Sequence, residues 1–164
     1  MKNNKVLSLI LFICIVIPVL ILTFSTGCAK RGNVEPDYSM AVAEEILLAM
    51  NKSDYDSVSQ YFNAEFKDAM KKIVDPKTGK AYATDKDAFI NAICKPLIDK
   101  IGEYQKGSLK FDRTLTEKGY TSVFYKTQFS KEINGDVNVQ FVFKDENGKM
   151  TIAGLWASSK TLQK

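Results

Sequence analysis

The chain has 164 residues, three cysteines, no histidine and a formal charge of +4. Without histidine there is no Ser-His-Asp or Cys-His nucleophile system, and the commonest zinc ligand is missing. The charge is too small for the basic field that nucleic-acid binding requires, and an aromatic content of 11% is too high for a disordered chain. Any catalysis would have to work with carboxylates, Lys, Tyr or water.

Met1-Lys2-Asn3-Asn4-Lys5 is basic, and Val6 to Phe24 is apolar apart from Ser8, Pro18 and Thr23. A basic start, an apolar middle and small residues at the end make a secretory signal. The run is also close to the roughly 20 residues of a spanning helix, and Pro18 does not forbid one. Lys2 and Lys5 on one side balance Lys30 and Arg31 on the other, so charge does not choose. Ser25-Thr26-Gly27-Cys28 resembles the bacterial lipoprotein signal, small residues followed by a Cys, although Ser25 stands where that signal usually has Leu. The resemblance implies a diacylglycerol on the Cys28 thiol, cleavage just before it, and a membrane-anchored, extracytoplasmic mature chain. An uncleaved anchor and a plain cleaved signal are the alternatives. Two or more acyl chains give durable attachment where one does not.

This divides the chain into a signal (1–27), a polar tether (28–37) reaching roughly 30 Å if extended, and a folded domain (38–164). Removing 1–27 takes away Lys2 and Lys5 and lowers the charge from +4 to +2 over 137 residues. Cys14 leaves with the signal. With Cys28 acylated, Cys94 is alone and no disulfide is expected.

Asp37 or Ser39 is placed to cap a helix in which Val42, Ile46, Leu47 and Met50 form an apolar stripe. Ser53-Asp54-Tyr55-Asp56 resembles a capping box and opens a second helix with Tyr55, Val58, Tyr61 and Phe62. Phe66 to Val74 continues it, and "DPKTGKAY" is a loop. Thr84-Asp85-Lys86-Asp87 caps a third helix with Phe89, Ile93 and Leu97 on its face. Pro96 is expected to kink or break that helix near Cys94, and Gly102 to end it. A lone Cys94 on such a face reads as a small buried hydrophobe.

After Gly107 the period changes from 3.6 to 2. "SLKFDRTL" sets Leu109, Phe111 and Leu115 on one face; "YTSVFYKTQFS" has both faces partly apolar. "VNVQFVFK" and "KMTIAGLWAS" flank Asn147-Gly148, a strong hairpin turn. A two-residue turn there pairs Glu146 with Lys149 as opposite charges, and the same register sets Phe143 with Ile152, Phe141 with Gly154 and Val139 with Trp156 on one apolar face. The milder face would then hold Val142, Ala153 and Leu155. Helices followed by four antiparallel strands define an α+β fold with the helices on one sheet face.

Asp54-Tyr55-Asp56, Val58 and Phe62, then Phe143, Gly148-Lys149-Met150, Ile152 and Gly154-Leu155-Trp156, resemble domain of unknown function 3887 over roughly Ser39 to Ala157. The resemblance implies a nuclear transport factor two-like, cystatin-like cone: helices closing one end of a curved four-stranded sheet around a pocket. It implies no established activity, no cofactor and no catalytic residue.

Five side chains are candidates to line such a pocket. Trp156 sits on the apolar face, where packing the core is its other role. Tyr61, Tyr104 and Tyr125 could offer hydroxyls, or could seal edges with the hydroxyl in water. Arg113 shares a face with Leu109 and Phe111 and would there need an anion, unless it merely extends past the core. Three functions remain open: a membrane-tethered module binding a small ligand or a protein, an isomerase- or hydrolase-type enzyme using a pocket carboxylate and Tyr, and a scaffold that dimerises through the sheet face.

Overall fold

A computed structural model describes residues 30–133 and 135–163. Helices precede hairpins, with one exception at the start: a short strand β1 (Lys30–Gly32) lies ahead of α1 (Ser39–Lys52). Then come α2 (Tyr55–Val58), a 3-10 turn (Ser59–Tyr61) and α3 (Ala64–Lys71). A third helical stretch comprises α4 (Asp85–Ala88), a π-helical segment (Phe89–Cys94) and α5 (Lys95–Ile101). Strands β2 (Lys110–Glu117), β3 (Tyr120–Thr127), β4 (Val137–Glu146) and β5 (Lys149–Ser158) complete the fold.

Local chemistry explains the helix ends. Ser53, at φ 53°, closes α1 in the left-handed region, and the Asp54 side chain then caps α2 by accepting from the Ser57 N–H. Asn63 caps α3 through Phe66 N–H at 2.8 Å, and Thr84 caps α4 through Asp87 N–H at 3.0 Å. The expected cap on α1 does not form: Ser39 is buried and its hydroxyl donates to Pro36 O at 2.8 Å. Pro96 does not break the third helix. It sits at the start of α5, directly after the wider π-helical turn, which takes up the misfit of a residue with no N–H.

The sheet has five antiparallel strands in sequence order, not four. The additional strand comes from residues expected to be tether: Lys30 pairs with Thr116 and Gly32 with Thr114. The turns at Lys118-Gly119 and Asn147-Gly148 both have positive φ at the two central residues, as the tightest hairpins demand. Asp145 reinforces the second by accepting the Gly148 N–H at 2.6 Å.

Two β-bulges decide which side chains face the helices. Phe111 pairs with Tyr125 but Arg113 with Phe124, leaving Asp112 as an extra residue. Phe143 pairs with Ile152 but Val142 with Gly154, leaving Ala153 extra. Each bulge changes the parity of everything beyond it. The hairpin register is therefore as expected from Glu146–Lys149 to Phe143–Ile152 and shifted beyond: Phe141 pairs with Leu155, Gln140 with Trp156 and Val139 with Ala157. Leu155 turns inward and Trp156 outward, the reverse of the simple alternation.

The core lies between the helices and the inner face. Ile46, Leu47, Val58, Phe66, Phe89 and Ile101 meet Val123, Tyr125, Phe141, Phe143 and Ile152, all buried to 1% exposure or less. Each such side chain contributes about 1.5–3 kcal/mol through removal from water. Cys94 is fully buried on the third helix, and burial pushes its thiol up to about 12.

Candidate functional site

The five candidate side chains do not converge on one pocket. Tyr125 lies in the core, fully buried, and its hydroxyl donates to Glu35 Oε1 at 2.6 Å with Ser39 Oγ at 2.8 Å. Burial and Glu35 raise its pKa. Tyr61, on the helical layer, donates to Glu45 at 2.6 Å. Tyr104 is at the other end of the sheet, where the Asn51 side chain brackets its backbone with bonds of 2.8 and 2.9 Å. Its buried hydroxyl has no partner of good geometry, and burial with the nearby Glu44 pushes it up to about 12. Cys28 lies outside the described residues.

Four of the tyrosines share a use. Tyr55 bonds Asp85, Tyr120 bonds Glu65 at 3.0 Å, and Tyr61 and Tyr125 bond carboxylates as above. In each case the carboxylate belongs to a different segment of the chain. These hydroxyls fasten one element to another, which is why they do not share a cavity.

Arg113 and Trp156 share one face of the sheet, the one the helices do not cover. The Asp112 bulge turns Arg113 away from Phe111, and the Ala153 bulge turns Trp156 away from Phe141. Both land in one cross-strand row: Arg113, Phe124, Gln140, Trp156. Across four strands the row spans about 14 Å. Inward readings of Arg113, Leu115 and Trp156 are thereby corrected, because one extra residue per strand reverses their side.

The row is ordered by its own contacts. The Arg113 guanidinium lies 4.1 Å from the Phe124 ring centroid and pairs with Asp112. Gln140 Nε2 donates to Ser122 Oγ at 3.0 Å. Trp156 lies over Gly154, where a Cβ would stand 3.1 Å from Cζ3 of the indole and 3.4 Å from Cγ2 of Val142. The missing side chain of Gly154 is what makes room for the indole. In the neighbouring row Leu115, Ser122, Val142 and Gly154 follow one another. Phe124, Leu115, Gln140 and Trp156 are half-buried; Val142 and Ala153 are buried yet stand apart from the core packing. Phe124, Gln140 and Ser122 were missed as site residues, although the partly apolar outer face of β3 was the signal for them.

Among the described residues no group of three potential metal ligands occurs, and no helix is long and apolar enough to cross a membrane.

An α+β domain with this sheet defines the class, and the sequence fixes the family. The family described as Protein of unknown function (DUF3887) matches residues 43–155, more than half of the chain, and the chain belongs to it. The match spans α1 to β5 and stops one residue short of Trp156. No curated protein and no solved structure matches the chain.

Proposed function

We propose that the chain is a lipid-anchored, extracytoplasmic protein-interaction module whose working surface is the open face of the sheet. The carrying observation is the row Arg113, Phe124, Gln140 and Trp156, half-buried, pre-ordered and covered by none of the described helices. Trp and Arg are the side chains that most often dominate protein interfaces, and an ordered row loses little entropy on binding. An open row about 14 Å long suits a protein surface better than a small ligand, which needs an enclosed pocket. The anchor rests on Ser25-Thr26-Gly27-Cys28. The bulges at Asp112 and Ala153 are the devices that curl a sheet, which supports a cone of the nuclear transport factor two type.

The test is a photo-crosslinking residue placed at Gln140 in the intact envelope, with a control at Lys67 on α3. A discrete adduct from Gln140 that disappears on adding Phe124→Asp is the expected result. Equal adducts from both positions would contradict it. A homodimer mass would identify the partner as a second copy.

A further inference from the structure

The segment after Cys28 is far too short to be a long leash. Lys30 to Gly32 are paired along β2, Glu35 is held by the buried Tyr125 hydroxyl, and Ser39 is buried and bonded to Pro36 O. Between a lipid on Cys28 and the first paired residue, only Ala29 intervenes. Two residues of extended chain reach about 7 Å, against the roughly 30 Å of a free ten-residue tether.

The position of β1 says which part of the domain this places at the bilayer. Lys30 pairs with Thr116, two residues from the Lys118-Gly119 turn. Tyr120 pairs with Lys144, so the Asn147-Gly148 turn is at the same end. The other end carries the 102–108 loop, joined to the end of β3 by the Ser108–Thr127 hydroxyl pair at 2.7 Å and to the residues just after it by the Tyr104–Phe129 bridge. Eight residues of β3 separate the two ends by about 24 Å.

The geometry points to a lipid surface as the partner of the two hairpin turns: on an acylated Cys28, the domain stands with its strands upright and these turns against the headgroups. This inference rests on the lipid-anchor reading. Charge is not what holds it. Arg31, Lys118 and Lys149 share this end with Glu117, Asp145 and Glu146, so the field is mixed and salt should not release it. Orientation comes from the short connection. Its consequence for the open face is direct: that face looks sideways along the membrane, and its partner is one that stands beside the domain at the bilayer.

The experiment uses the full acylated chain in nitroxide-headgroup vesicles, with a fluorophore at Lys118→Cys or at Lys106→Cys in the far loop; Cys94 is fully buried and is spared labelling. Intact mass of the same sample reports acylation. The expected result is strong quenching at position 118 and weak quenching at 106, unchanged by salt. Eight Gly/Ser residues inserted between Ala29 and Lys30, adding roughly 16 Å of reach, should bring the two signals together. Acylated protein quenched equally at both positions without the insertion overturns the orientation and leaves the anchor standing. A mass lacking acylation overturns both.

Discussion

The two faces of this sheet are made of similar residues and differ in what they touch. The inner face sets Val123, Tyr125, Phe141, Phe143 and Ile152 against the helices, at 1% exposure or less. The outer face sets Phe124, Val142 and Trp156 beside Arg113, Gln140 and Ser122, with contacts mainly among themselves. Apolar content alone does not separate the core face from the open one. Polar groups interleaved with half-buried aromatics, and the absence of a covering element among the described residues, do.

The comparison would break most completely if parity were reset. Inserting one alanine directly after Ala153 shifts the rest of β5 by one position and would drive Trp156 inward and Leu155 outward. The expected loss exceeds about 4 kcal/mol, seen in urea titration as a domain unfolded without denaturant. An insertion variant of native stability would mean that the register beyond Ala153 is not fixed. Next in size is the inner face itself: Phe141→Ala should cost about 3–5 kcal/mol, while Phe124→Ala should cost about 1 kcal/mol and abolish the Gln140 crosslink.

Smaller effects sharpen the account of the tyrosines. Tyr125→Phe removes the hydroxyl that bonds Glu35 and touches the buried Ser39 Oγ and should cost about 1–2 kcal/mol, whereas Tyr61→Phe, on the half-buried helical layer, should stay within about 0.5 kcal/mol. Equal losses would mean that the Glu35 clamp is not special. The smallest effect is electrostatic. Bonds from Lys144 and Tyr120 hold the Glu65 carboxyl below its usual range. Its folded pKa is lower than its unfolded one, so its contribution is whole at neutral pH and lost as pH falls through the folded value. Glu65→Gln should therefore flatten the stability profile slightly below about pH 4.3, and identical profiles would dismiss the pair.

Much of the architecture was legible in the sequence because periodicity and turn chemistry are local. The helical stripes, the Thr84 cap and the Asn147-Gly148 hairpin follow from residues within a few positions of one another. Strand β1 was not legible: three residues with no pattern become a strand only through pairing with β2, some eighty positions away. The site was misplaced for a related reason. A bulge is one residue long, yet it reverses every later side chain, so Arg113, Leu115 and Trp156 were assigned to the wrong face together. Two residues carried the hint, Asp112 and Gly154, both uncommon within strands.

Trp156 is the sole tryptophan, so its emission reports the disputed face alone. Acrylamide quenching of that emission in the folded protein tests the central claim most directly. The bulged register predicts a tryptophan open to the quencher in the native state, with the access lost when a partner covers the row. A blue-shifted emission shielded until the domain unfolds would place Trp156 in the core and contradict the account.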